Sequence, residues 1–101
     1  MGEMHAAAMR FELRLRASRS LKAKRATIRP IVDGLRHRFR ISVAEVDHQN
    51  QWQRTTIAVA IVGESEGRVR ELLEAAERFV ACARDVELIG CEIGWLELEE
   101  V

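Results

Sequence analysis

The chain has 101 residues, 48% of them apolar, and its sixteen Lys and Arg balance sixteen Asp and Glu. That length gives one domain with one core, and the apolar share excludes a disordered tail. No run approaches the ~18 apolar residues of a membrane span, Met1-Gly2-Glu3-Met4-His5 lacks the features of a secretion signal, and Cys82 and Cys91 are too few for a disulfide framework, so a cytoplasmic protein with reduced thiols is expected.

From Met9 to Arg16 the residues alternate, with Met9, Phe11, Leu13 and Leu15 on one side and Arg10, Glu12, Arg14 and Arg16 on the other. This period of two predicts a strand with one buried face. After Ala17-Ser18-Arg19-Ser20, the positions Leu21, Ile28, Val32, Leu35 and Phe39 fall in one stripe at ~100° per residue, which predicts an amphipathic helix capped by Ser20. Pro30 lies opposite that stripe, where the helix either kinks toward water or restarts.

Phe39–Val46 reads as a second strand and Trp52–Val62, rich in Thr, Ile and Val, as a third, with Asp47–Gln51 as the hairpin loop between them. Gly63-Glu64-Ser65 opens a second helix with Val69, Leu72, Leu73, Ala76, Phe79, Val80 and Ala83 on one face. Val86–Leu98 is a last strand in which Gly90 and Gly94 mark bulges, and the acidic end, 99–101 above all, frays. Strand, helix, strand, strand, helix, strand with right-handed crossovers is the ferredoxin-like βαββαβ arrangement, an α+β fold with two helices on one face of a four-stranded antiparallel sheet. Residues 1–101 form a single domain of this kind.

The sheet face without helices presents Arg10, Glu12, Arg14 and Arg16 beside Arg54, Thr56, Ala58, Ala60 and Val62, with Ala44 and Val46 from the second strand. A homodimer or larger homo-oligomer is expected through Arg14, Ala44, Val46, Arg54, Ala58, Ala60 and Val62, because small apolar side chains on an uncovered sheet form an association patch. The plainer alternative is an exposed Ala/Val surface of the kind monomers carry.

Charge is segregated along the chain. Between Arg16 and Arg40 nine basic residues face one acid, Asp33. Lys22, Arg25, Arg29 and Arg36 share one flank of the first helix, and Lys22, Lys24 and Arg25 crowd its first turns, where the helix dipole disfavours cations by ~0.3–1 kcal/mol each. Local stability would not select them there. With Arg16, Arg19 and the amides behind Ser20, they form a candidate phosphate site: Arg16, Arg19, Ser20, Lys22, Lys24, Arg25, Arg29 and Arg36. RNA is the most obvious anionic partner, through backbone or shape contacts, since the first strand lacks an aromatic stacking platform.

The competing reading is internal neutralisation. Residues 1–54 carry twelve Lys/Arg and five Asp/Glu, whereas residues 55–101 carry four and eleven. The first helix's cations could therefore face Glu71, Glu74 and Glu77 of the second helix, or an acidic surface of a neighbouring subunit. In the hairpin, Glu45 and Asp47 on one strand side followed by His48 are types that ligate metals or exchange protons, but the spacing matches no known ligand pattern. Trp52 reads as a core or interface anchor. No nucleotide-binding, nucleophile-elbow or zinc-protease motif is present in the sequence.

Taken together, Ser20-Leu21-Lys22-Ala23-Lys24-Arg25, Phe39–Val46 and Trp52-Gln53 resemble the YlxP-like family of small bacterial proteins, a domain family of unknown function. The resemblance runs from about Met9 to the last strand and implies a ferredoxin-like fold in a family with no established enzymatic activity or cofactor, so a non-enzyme without cofactor is expected. Genes of such proteins commonly lie among those for translation initiation and ribosome maturation, which implies a link to ribosomal RNA or the small subunit. Against the family pattern, Ala23 stands where Glu is common and breaks the capping box of Ser20. Arg40 stands for a common Asn and Asn50 for a common Asp, and residues 1–8 extend beyond the usual start.

Overall fold

Strand β1 (His5–Arg14) occupies the interior of the sheet, antiparallel to β3 (Arg54–Gly63) on one side and to β4 (Glu87–Leu96) on the other. Strand β2 (Ser42–Asp47) pairs antiparallel with β3, so the order is β2-β3-β1-β4. Helices α1 (Leu21–Phe39) and α2 (Glu66–Ala81) follow β1 and β3, giving the expected ferredoxin-like βαββαβ fold. This computed structural model describes residues 3–97, so the expectation of a fraying end at 99–101 lies outside the described residues.

Alternation places Ala7, Met9, Phe11, Leu13 and Leu15 in the core, against Ile57, Val59 and Ile61 of β3 and the inner faces of both helices. The strand starts at His5, so His5–Ala8 are not an extension: Ala6 pairs with Val62 and Leu96, and Ala8 with Ala60 and Gly94. Three consecutive alanines give no apolar–polar contrast, but ladder bonds need none, since backbone groups make them.

Ser20 caps α1, its Oγ accepting the Ala23 N–H at 3.0 Å without help from a glutamate at position 23. The helix runs unbroken through exposed Pro30. It continues to Phe39 and ends at Arg40 in the left-handed region (φ 55°), so Phe39–Ile41 are not strand and β2 begins at Ser42. The buried face of α1 is Lys24, Ile28, Ile31 and Leu35, with Leu21, Val32 and Phe39 only half-buried at its margin. The inward face is thus rotated toward Lys24, a residue type that hydropathy assigns to solvent.

The second helix matches its apolar pattern, burying Val69, Leu73, Ala76 and Val80. Two register shifts bend the sheet. Val46 has no partner between Glu45, opposite Ile57, and Asp47, opposite Thr56. Ile89 is skipped between Leu88 and Gly90, whereas Gly94 pairs in regular register with Ala8 and marks no bulge.

The helices meet at Gly34, where an added Cβ would collide with Cζ of Phe79. The Phe79 ring packs edge-to-face against Phe39 with centroids 5.7 Å apart, a contact that moving the ring aside would disrupt. In an open helix Gly→Ala gains ~1 kcal/mol. Here Gly34→Ala is expected to lose about 1–3 kcal/mol through overpacking, read as a lower urea midpoint at unchanged slope.

Candidate functional site

One turn after the cap, α1 directs Lys24 inward, and its side chain is 1% exposed. Its Nζ lies 3.0 Å from Oε2 of Glu45 and donates to the carbonyls of His48 (2.5 Å) and Gln49 (3.3 Å). An ammonium has three protons, and these partners supply three acceptors. Oε2 of Glu45 also accepts the hydroxyl of Thr55 at 2.5 Å. Lys24 is therefore a buried tie between α1 and the β2–β3 hairpin, and its assignment to a phosphate site is corrected: burial removes it from any surface ligand.

The same tie corrects the hairpin reading. Glu45 stands opposite core residue Ile57 on the helix side, while the shift at Val46 puts Asp47 opposite Thr56 on the other, so the two carboxylates do not share a side. His48 (φ 60°) donates its backbone N–H to Oδ1 of Asp47 (2.7 Å), and its Nδ1 lies 3.0 Å from Nε2 of Gln51. Among the described residues no three His, Cys, Asp or Glu side chains are grouped to hold a metal ion. Both cysteines are free, and partial burial beside Glu77 pushes the Cys91 thiol up to about 11, away from thiolate chemistry at neutral pH.

The remaining basic run divides into paired and unpaired cations. Arg16 lies 3.0 Å from Oε2 of Glu87, and Arg14 lies 3.9 Å from the same atom. Arg19 donates to the carbonyls of Arg16 and Ser18, and Arg36 donates at 2.9 Å to the carbonyl of Val43, lying over the β2 edge. Lys22, Arg25 and Arg29 are exposed with no carboxylate in ion-pair range among the described residues. The expected bridges to Glu71, Glu74 and Glu77 do not form. Glu71 serves Arg68 on its own helix at 3.3 Å, and Glu77 lies on the β4 side of α2 beside Cys91.

Sequence reading missed the surroundings of Trp52. Half exposed at 50%, it lines a surface depression with Arg19, Asn50, Gln51 and Gln53. Gln53 donates to the carbonyls of Arg16 (3.3 Å) and Ser18 (3.1 Å), and its own carbonyl accepts Leu15 N–H at 2.9 Å. These bonds hold the loop before β3 against the loop before α1, and they bring an exposed indole to the start of the basic helix. Trp next to Gln carried no such signal, because the neighbour comes from a segment more than thirty residues away.

On the open face the described rows are Ser42–Ala60–Ala8–Gly94 and Ala44–Ala58–Arg10–Glu92, with Val62, Ala6 and Leu96 beyond them. Val62 is 67% and Leu96 57% exposed. Val46 belongs to the register shift, so its expected alignment with Ala44 on this face is corrected. The opposite end is a charge network. Arg10 bonds Glu92 at 2.9 Å, which holds its pKa above the ordinary value through that hydrogen bond and the carboxylate's charge. Glu12 accepts the Thr56 hydroxyl at 2.7 Å and lies 3.9 Å from Arg54.

Removing one partner of a buried ion pair strands the other, so Lys24→Ala is expected to cost about 3 kcal/mol. Lys24→Met combined with Glu45→Met should cost less than the sum of the single changes, by more than ~1 kcal/mol, in a double-mutant cycle of urea denaturation.

Known proteins resemble this chain in fold and in sequence. A de novo designed protein, Foldit4, superposes with a TM-score of 0.57 over 96% of this chain and 100% of its own at 14% identity, a likeness of fold alone. A dimeric ferredoxin-like protein from an uncultured marine organism aligns at a TM-score of 0.40 and 10% identity over 95% of this chain and 91% of its own. In sequence, the uncharacterized protein YlxP of Bacillus subtilis (strain 168) is 31% identical over 76 residues, which are 75% of this chain and 83% of that protein. Residues 6–93 match the family described as protein of unknown function (DUF503), and the chain belongs to that family.

Proposed function

We propose that the protein is a non-enzymatic cytoplasmic binding protein that contacts the phosphate backbone of RNA, on ribosomal particles, through Arg19, Lys22, Arg25 and Arg29. The observation that carries this reading is the division within one basic run. Lys24 and Arg16 are neutralised by carboxylates, while Lys22, Arg25 and Arg29 stay exposed and without ion-pair partners among the described residues. Arg36 extends the same flank with part of its guanidinium committed to Val43. Cations in the first turns oppose the helix dipole, a cost that an anionic ligand offsets. Trp52 next to Arg19 adds a face on which an unpaired base can stack.

Changing Lys22, Arg25 and Arg29 together to Glu should lower the log–log salt slope of RNA association by about 2–3 and abolish binding at moderate salt, with the circular dichroism spectrum unchanged. Trp52→Ala should weaken binding to single-stranded RNA by about 1–3 kcal/mol. Equal affinity of the triple variant and the parent in a filter or fluorescence titration would exclude this surface.

A second reading rests on the open sheet face. The flat row Ser42–Ala60–Ala8–Gly94, flanked by exposed Val62 and Leu96, is apolar surface without a covering layer, and a second copy of the chain would bury it. Arg14, Arg54, Ala44 and Ala58 border or share that face. Sedimentation equilibrium should show a dimer that Ala60→Arg converts to monomer; a parent monomer at high micromolar concentration would remove this reading.

A further inference from the structure

The flank of α1 opposite the basic edge faces α2. Between the two helices lies a groove of about 780 Å³, within the range of small-molecule sites. Its apolar wall includes Ile31, Phe39, Phe79 and Ala83, and the tight helix approach at Gly34 sets the position of the Phe79 ring. Three arginines, Arg38, Arg78 and Arg84, also line it, against a single acid, Asp85. None of the three has a carboxylate in ion-pair range among the described residues. The Arg38 guanidinium stands 5.7 Å from the centroid of Phe39 and 5.8 Å from that of Phe79, so the two rings hold a cation at the wall of the apolar space.

An apolar trough with unneutralised guanidinium groups is complementary to a ligand that joins an apolar body to an anionic head. We propose that the groove binds an amphiphilic organic anion, an acyl chain ending in a carboxylate or a phosphate. The chain lies over Phe39 and Phe79, and the head is held by Arg38 and Arg78. This site is separate from the RNA-binding edge, since Arg36 on that edge reaches the β2 side while Thr27 and Arg38 line the α2 side.

The test is calorimetric titration with decanoate and with decyl phosphate, each below its micellar concentration, and with decanol as the neutral control. One-to-one saturable binding of an anion, with decanol at least about tenfold weaker, is the expected result, and the better of the two anions identifies the head group. Arg38→Gln combined with Arg78→Gln should weaken binding about ten- to hundredfold, the worth of lost charge-assisted hydrogen bonds. Ala26→Trp, which fills the groove from an exposed position, should abolish it while leaving RNA association unchanged. Failure of both anions to bind, equal binding of decanol, or unaltered affinity in the arginine variant overturns the proposal. Binding of an acidic amphipathic peptide in place of the anions also overturns it and makes the groove a protein-docking surface.

Discussion

A buried ammonium must find an acceptor for each of its protons, and that requirement at Lys24 organises one side of this molecule. Glu45 and the carbonyls of His48 and Gln49 all come from the β2–β3 hairpin. Regular alternation from Val43 puts Glu45 on the helix side, the register shift at Val46 turns Asp47 to the other face, and the hairpin loop folds back over the start of α1. Such a pair adds little net stability over an apolar one of equal volume, but leaving either member alone is costly. Its consequence is positional: the loop cannot move away from the helix without stranding a charge.

From that position follows the arrangement of the exposed groups. With the hairpin tied to α1 by Lys24 and to the preceding loop by Gln53, the Trp52 indole stands beside Arg19. Lys22 and Arg25, within two residues of the inward-facing Lys24, remain on the outer flank. A formal charge of zero therefore conceals two different populations of cations. One is neutralised within the fold, through Glu45, Glu87, Glu12 and Glu92; the other surrounds α1 on both flanks and meets no acid among the described residues.

Periodicity made the architecture legible. Alternation in β1 and the apolar stripe of α2 are side-chain patterns that must match one buried face, so they specify strand, helix and order together. Where the pattern lost contrast, the boundaries moved. Ala6–Ala8 gave no alternation and yet pair in the sheet, while Phe39–Ile41 look strand-like but are claimed by the helix end at Arg40. In the candidate site, Lys22, Arg25 and Arg29 are where the helical wheel places them, and Arg19 stands just before the cap. Lys24 is not, because hydropathy assigns a lysine to water and cannot see the acceptors that await it.

By itself, then, the chain's local pattern determined the ferredoxin-like fold, the Ser20 cap, the basic flank of α1 and, through its resemblance, the family. Only tertiary structure decided which cations are free, that Glu45 and Asp47 part company, that Trp52 lies open beside Arg19, and that a groove with unneutralised arginines runs along the helix pair. The reason is range. Strand and helix periods are written within a few residues, whereas the partner of a charge is chosen by strand register and helix packing between segments distant in sequence.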